Sequence, residues 1–241
     1  MSPAVGNMIR ARMRNTRAVL FDLDGTLIDT TGLILSCFDH SWQTVCGRTH
    51  SRQALLGTFG IPLREAMRWL LAASNDPKGV ANRDSDEAHL LEQLILEYRA
   101  FNAANHDELA KPFCGVETVV RELRARGYLI GVVTSKSREL ATRGLNLCSL
   151  DGLIDEAVFL EDSDRHKPDP TPIHVALKRL DARAETAAYV GDSCHDIAAG
   201  RAAGVRTVAA LWGPASRDDL EGAQPDWLAE DLNSLLDIFS R

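Results

Sequence analysis

Cysteine is scarce and unpatterned in this 241-residue chain: five residues, an odd number, with no Cys-x-x-Cys spacing. That argues against a disulfide framework or a zinc finger, and a reducing cytoplasm is the simplest setting. Long apolar runs are missing as well. No uncharged stretch approaches the roughly 18 residues that cross a bilayer, which argues against an integral membrane protein. Positive charge is in deficit, 27 Lys and Arg against 34 Asp and Glu for a net −7, a poor balance for a general nucleic-acid binder. Internal repeats and low-complexity tracts are also lacking. What is present is ordinary globular composition, 45% apolar and 25% charged. The length suits one large domain, or one domain carrying an insertion, with a full core.

Residues 1–16 read as a flexible arm. Arg10, Arg12 and Arg14 occur there without any acid, but the stretch is Ser-poor and has no apolar segment for secretion. After it, Ala18 to Phe21 is a short apolar run that discharges into Asp22-Leu-Asp-Gly-Thr26, a buried strand ending in a loop. From residue 116 onward, strand-like and helical segments alternate. Val116, Val119, Val120 and Leu123 form a helical stripe that Gly127 ends. Tyr128 to Val133 is extended, Ser137 to Leu147 helical, and Ile154 to Leu160 extended. Pro172 opens another helix. Strand Ala187 to Val190, helix Asp196 to Ala203, strand Val205 to Leu211 and helix Leu232 to Phe239 complete the series. Such alternation predicts an α/β fold, a doubly wound parallel sheet covered by helices.

Residues 31–111 break the rhythm. They read as all-helical, most clearly where Leu91, Leu94, Ile95, Tyr98 and Phe101 fall at helical spacing. The expected organisation is therefore an arm (1–16), an α/β core (17–30 and 112–241) and an inserted helical cap (31–111). An insertion just past a strand's carboxyl end lies over the crevice where open α/β sheets bind ligands, so it is a candidate lid.

The chemistry-bearing residues gather at expected strand ends. Asp22 and Asp24 follow the first strand, Thr134 and Ser135 the strand ending at Val133, and Asp192 the strand ending at Val190. Lys167 precedes a helix, and Asp196 lies four residues past Asp192. In a parallel sheet these ends share one edge, so the residues converge. Several carboxylates together repel, and a hard divalent cation is the usual relief; Mg²⁺, which takes one or two carboxylates plus substrate phosphate, suits best. One carboxylate can attack phosphorus, and a second two residues on can act as general acid and base. A Thr hydroxyl and a Lys ammonium can hold phosphoryl oxygens. Taken singly, each has a plainer reading: a turn-closing Asp, a strand-end Thr, a solvated Lys, an Asp at a helix start.

Four stretches, Asp22-Leu-Asp-Gly-Thr-Leu-Ile-Asp29, Val133-Thr-Ser135, Lys167-Pro-Asp-Pro170 and Gly191-Asp-Ser-Cys-His-Asp-Ile197, resemble the signature motifs of the haloacid dehalogenase (HAD) superfamily, in family order. The insert resembles the helical cap of its phosphoglycolate phosphatase-like and β-phosphoglucomutase-like subgroup. Residues 97–109 and Ala209-Ala-Leu-Trp212 resemble the HAD-type inorganic pyrophosphatases. The resemblance implies Asp22 as nucleophile and Mg²⁺ ligand, and Asp24 as general acid/base holding Mg²⁺ through its backbone carbonyl. It implies that Thr134 binds the transferring phosphoryl group with Ser135 beside it, that Lys167 neutralises charge, and that Asp192 ligates Mg²⁺. Asp196 would orient the metal's waters or Lys167 from behind.

In the insert, the Gly/Pro-punctuated stretch Leu56 to Glu65 sits where relatives carry a specificity loop, so Thr58, Phe59 and Arg64 are candidate substrate contacts, against a plain helix–helix turn. Lys136 is a further candidate for a substrate anion. Cys194 and His195 read as incidental neighbours of Asp192. Asp24 argues against a dehalogenase, and Lys78, in a loop-like segment, is a poor Schiff-base lysine for a phosphonatase. The helical insert and the length argue against a signalling receiver domain. The expectation is a Mg²⁺-dependent phosphatase acting on a small phosphorylated metabolite, phosphoglycolate-like or inorganic pyrophosphate, through an aspartyl-phosphate. A β-phosphoglucomutase-like phosphomutase and a non-catalytic HAD-like binding protein remain the alternatives. No nucleic-acid or membrane partner is expected.

Overall fold

The computed structural model describes residues 16–73 and 84–240; the expected arm, apart from Thr16, and Lys78 lie outside them. Eight strands are present among the described residues: β1 (Ala18–Phe21), β2 (Ile28–Asp29), β3 (Lys111–Pro112), β4 (Leu129–Val133), β5 (Glu156–Val158), β6 (Ala187–Gly191), β7 (Arg206–Ala210) and β8 (Trp227–Ala229). Six of them form one parallel sheet in the order β5-β4-β1-β6-β7-β8. The chain builds outward from β1 to one side, then crosses to the other at β6. That reversal of direction puts the ligand crevice at the carboxyl ends of β1 and β6.

Both faces of the sheet are covered, and the sequence of β1 shows why. Val19 and Phe21 join the larger apolar core on one face, while Ala18 and Leu20 join a second core on the other. β6 divides the same way, with Ala188 and Val190 on the first face and Ala187 and Tyr189 on the second. Strand periodicity of two then demands apolar residues at every position, and all nine residues of β1 and β6 are buried.

Between β2 and β3 run, among the described residues, four helices: α1 (Thr31–Cys46), α2 (Arg52–Leu56), α3 (Leu63–Ala73) and α4 (Asp84–Leu109). α1 and α4 pack along their length, with Phe38 edge-on to Tyr98 at 5.0 Å and His40 stacked on Phe101 at 4.6 Å. β2 and β3 pair antiparallel, Ile28 opposite Pro112 and Asp29 opposite Lys111, and so tie together the two chain crossings into and out of these helices. A two-residue ribbon carries no periodicity, so the sequence reading anticipated no strand there.

The remaining helices are α5 (Val116–Ala125), α6 (Arg138–Leu147), α7 (Thr171–Arg179), α8 (Cys194–Ala202), α9 (Arg217–Gly222) and α10 (Ser234–Ile238). The sequence reading missed α9 and β8, both too short to show a period. The extended stretch expected over 154–160 narrows to β5, followed by a 3₁₀ turn over Leu160–Asp162.

Candidate active site

Asp22 continues the β1 ladder by one bond, its N–H donating to the Val190 carbonyl at 2.9 Å, so its side chain emerges at the crevice. Thr134 is held likewise past β4, donating to the Val158 carbonyl at 3.0 Å. Lys167 arrives from the loop ahead of α7 and is 2% exposed, which makes its partners decisive. Its ammonium donates to Asp22 Oδ1 at 2.8 Å, to Asp196 Oδ1 at 2.7 Å and to the Tyr189 hydroxyl at 3.2 Å. An ammonium has three N–H groups, and all three are engaged.

Asp196 is equally saturated. Ser193 opens α8 with a reciprocal cap: its N–H and hydroxyl donate to Asp196 Oδ2 while the Asp196 N–H donates back to its Oγ. Oδ1 faces Lys167 and the Tyr189 hydroxyl, 3.0 Å away. Asp192 receives the Thr26 hydroxyl on Oδ1 at 2.7 Å. Its Oδ2, like Asp22 Oδ2, has no hydrogen-bond partner among the described residues. Gly25 and Gly213 crowd Asp192 so closely that a Cβ on either would stand 2.3 Å from it, and Gly25 also has φ +83°.

Carboxylate oxygens of Asp22, Asp192 and Asp196 lie within 4.8 Å of one another. Burial, reinforced by the Asp196 charge and only partly opposed by Lys167, pushes the Asp22 carboxyl up to about 7. Burial and the neighbouring carboxylates raise Asp192 strongly too. For Asp196 burial pulls upward, but Lys167 and the donors from Ser193 and Tyr189 win, and its pKa falls. Burial disfavours the Lys167 charge, yet Asp196 and Asp22 outweigh it and raise that pKa. The cluster is thus one fixed cation among three acids, short of positive charge.

Asp24 belongs to a second group. Lys136 Nζ, on the segment after Thr134, donates to Asp24 Oδ1 at 2.7 Å, and Thr30 Oγ1 donates to the same oxygen at 2.8 Å. The Lys136 N–H bonds Thr134 Oγ1 at 3.1 Å. Ser135 reaches the inserted helices, donating to the Gly60 carbonyl at 3.0 Å. Between sheet edge and insert lies a cavity of about 150 Å³. Asp22, Asp24, Thr134, Ser135, Lys136 and Lys167 line its core side, and Thr58 and Phe59 line its insert side.

Not every candidate arrives. Arg64 starts α3 on the surface and forms a bidentate pair with Glu92 of α4 at 2.5 and 3.0 Å. It does not line the cavity, which corrects its assignment as a substrate contact: the loop ends at Pro62, and the first turn of α3 points Arg64 outward to Glu92. Thr58 lines the cavity, but its hydroxyl already donates to the Leu55 carbonyl at 2.7 Å. Cys194 is exposed and its thiol points to the Asp219 carbonyl at 3.4 Å. The sequence reading overlooked Tyr189, Thr26 and Thr30, the partners that fix Lys167, Asp192 and Asp24. Tyr189 left one signal, a polar tip inside an otherwise apolar strand. It also overlooked Asn102, on α4, which lines the cavity.

A family model described as haloacid dehalogenase-like hydrolase matches residues 19–210. The chain belongs to that family. Pyrophosphatase PpaX of Bacillus cereus (strain B4264) is 37% identical over 222 residues, covering 92% of this chain and 95% of the relative. PpaX of Bacillus mycoides (strain KBAB4) is 38% identical over 223 residues, covering 92% and 96%. Among solved structures, a haloacid dehalogenase-like hydrolase from Bacteroides fragilis superposes with TM-score 0.80 at 25% identity, over 91% of this chain and 99% of that one. A predicted phosphoglycolate phosphatase from Haemophilus somnus shares the fold, with TM-score 0.80 at 21% identity over 93% and 98%. This HAD-family protein is an enzyme, a hydrolase with phosphatases for relatives.

Proposed function

We propose that this hydrolase is a Mg²⁺-dependent phosphatase that cleaves a small phosphorylated metabolite through an aspartyl-phosphate on Asp22. The observation that carries the reading is the Asp22–Lys167 pair at the cavity floor, with one carboxylate oxygen held by the ammonium and the other open. The held oxygen fixes the carboxylate's orientation at the cavity floor, which readies Asp22 to attack phosphorus. As the new O–P bond forms, the bond to the leaving oxygen breaks, and Asp24 supplies that oxygen with a proton. Thr134 donates to a phosphoryl oxygen, and Lys167 offsets charge building beside Asp22. Asp24 then takes a proton from the water that hydrolyses the aspartyl-phosphate and restores the carboxylate.

The residues present fit a divalent cation. Asp22 and Asp192 are the two acids whose pKa burial succeeds in raising, and each keeps one oxygen without a partner among the described residues. They would hold Mg²⁺ with the Asp24 backbone carbonyl, while Asp196, all its lone pairs engaged, positions Lys167. The ion would supply positive charge for the phosphoryl oxygens. Residues 31–111 act in this reading as a cap on the core formed by 17–30 and 112–241, excluding bulk water from the cavity. The PpaX relatives favour inorganic pyrophosphate as substrate over a phosphoglycolate-like monoester. No helix among the described residues is long and apolar enough to cross a membrane. The five free cysteines fit a reducing, cytoplasmic setting.

The test is phosphate release from pyrophosphate, 2-phosphoglycolate, sugar phosphates and nucleotides, with and without Mg²⁺. Asp22→Asn is expected to abolish release while retaining the native circular dichroism spectrum. Normal turnover in that variant would remove Asp22 as nucleophile. A wild type inactive on all of them would leave phosphomutase or binding roles.

A further inference from the structure

Beyond the scissile bond, the cavity holds one feature that the proposed chemistry does not use. Asn102, on the sheet-facing side of α4, is 3% exposed and lines the cavity, and its Oδ1 is buried without a hydrogen-bond partner. A buried carbonyl oxygen left unpaired costs about 1–3 kcal/mol, so its persistence calls for an explanation. The other end of the same amide lies against Tyr98 and Cys37. Burial keeps both of those groups protonated, pushing the thiol up to about 12 and raising the phenol further above its ordinary value. A carboxamide turned by half a revolution exchanges its two ends at almost no steric cost. Tyr98 and Cys37 then donate to Oδ1, and the NH₂ group faces the cavity as a donor in need of an acceptor.

Lys136 supplies the second half. Its side chain is 9% exposed and lines the same cavity. One N–H is on Asp24, and the other two have no partner among the described residues. Arg99, one residue past Tyr98 on α4, adds a cation at the rim. Most of the remaining wall is apolar, including Ile34, Phe38, Ile61 and Leu63. About 150 Å³ is well below the roughly 300–1,000 Å³ of sites for drug-sized ligands.

Resting on the phosphatase reading above, we propose that Asn102 and Lys136 form a leaving-group subsite, one that takes a compact second anion, a carboxylate or phosphate, beyond the scissile phosphorus. Lys136 neutralises that anion, and the Asn102 amide donates to it from the insert side. Since Lys136 also touches Asp24, the subsite places the leaving oxygen next to the general acid. Asn102 is a specificity residue supplied by the insert and Lys136 one supplied by the core, so a correct substrate bridges the two.

The experiment compares kcat/KM for 2-phosphoglycolate and pyrophosphate with that for ethyl phosphate, which matches phosphoglycolate in size but lacks the second anion. Wild type is expected to prefer the charged substrates. Lys136→Met and Asn102→Asp are each expected to shrink that preference about 10–100-fold, the scale of a charge-assisted hydrogen bond. Thermal unfolding checks that each variant folds, and Lys136→Gln replaces Lys136→Met if it does not. Equal losses on all three substrates would overturn the subsite, showing that Lys136 acts only by holding Asp24. An unchanged preference in both variants would overturn it too, as would a wild type that prefers ethyl phosphate. Those failures leave the phosphatase reading standing. A wild type that releases phosphate from none of the three defeats the phosphatase reading and takes the subsite with it.

Discussion

At the sheet edge, Lys167 places three donors on three acceptors, and every oxygen of Asp196 is engaged. Across the cavity, Trp42 Nε1, His50 Nε2, Asn102 Oδ1 and His106 Nε2 are buried without a hydrogen-bond partner. All four belong to the insert, whereas the partnerless oxygens of the core's acid cluster are, among the described residues, Oδ2 of Asp22 and of Asp192, the two acids proposed to hold the cation. A saturated network holds one geometry, because any displacement breaks several bonds together. Open donors and acceptors hold none, and Asn102, the one of the four that lines the cavity, can be completed by what enters it. On the proposed reading, the core holds reaction geometry that does not vary with substrate, and Asn102 is the insert's contact that does.

The largest effect that would sharpen this contrast comes from ion pairs. Asp196→Asn removes one of the two carboxylates facing a fully buried ammonium and leaves a single amide oxygen for the donors that Lys167, Tyr189 and Ser193 share between two. Breaking a buried pair costs about 3–5 kcal/mol, which for a chain of this size lowers the unfolding midpoint by about 10 °C. Activity should fall as well, since Lys167 no longer sits where Asp22 needs it. Arg64→Ala, which breaks an exposed pair in the insert, is expected to leave the midpoint nearly in place. Differential scanning calorimetry of the two variants reads the comparison directly. Equal shifts would show that the core network is no more tightly determined than the insert surface.

Next in size is Gly213→Ala. A Cβ there meets Asp192 Cβ at 2.3 Å, and the backbone around it is held by the Trp212 indole N–H donating to the Thr26 carbonyl at 3.0 Å. Asp192 therefore has to move. We expect the Mg²⁺ concentration for half-maximal activity to rise about 10–100-fold, as for other supports of metal ligands. Gly57→Ala in the insert, where the nearest contact is 3.4 Å, serves as the control and is expected to leave that concentration unchanged. An unaltered metal requirement in Gly213→Ala would show that the Asp192 position is soft.

How much of this could be read from the chain differs between the same two regions. Asp22, Thr134, Lys167, Asp192 and Asp196 were legible because each follows or precedes a recognisable element, and a parallel sheet sends such positions to one edge. The strands themselves were legible because burial on both faces demands unbroken apolar runs. In the insert, helical spacing revealed which face of α4 is buried, through Leu91, Leu94 and Tyr98, but not what that face meets. Asn102 lies one turn beyond Tyr98 on the same stripe and reads as an ordinary polar interruption. Arg64 looked like a cation in a loop; its partner Glu92 lies 28 residues away, and no local pattern announces the pair. Thr26 and Thr30 were in plain view within the first motif, yet a hydroxyl's partner depends on packing, not on spacing.

The finest division between the regions is in the sign of their pH dependence. In the metal-free protein Asp22 is raised by burial from 3.8 to about 7, so the folded state binds that proton more tightly than the unfolded chain. The stability it contributes is complete below 3.8 and is lost as pH rises through about 7. His106 runs the other way. Burial, helped by Lys136 and Arg143 and resisted by Asp107, lowers it below 6.5, so its contribution is present above 6.5 and is lost as pH falls. His50, lowered chiefly by burial, adds to the same trend. Hydrogen exchange between about pH 5 and 8, corrected for intrinsic rates and with metal chelated, should therefore show opposite slopes. Protection of β1 and β6 amides is expected to decline with rising pH, while that of α4 amides increases. Added Mg²⁺ should flatten the core slope, because a cation beside Asp22 favours its carboxylate, and should leave the α4 slope unchanged. Parallel slopes in the two regions would mean that sheet and insert open as one cooperative unit, with the polar contrast between them absorbed in a single global transition.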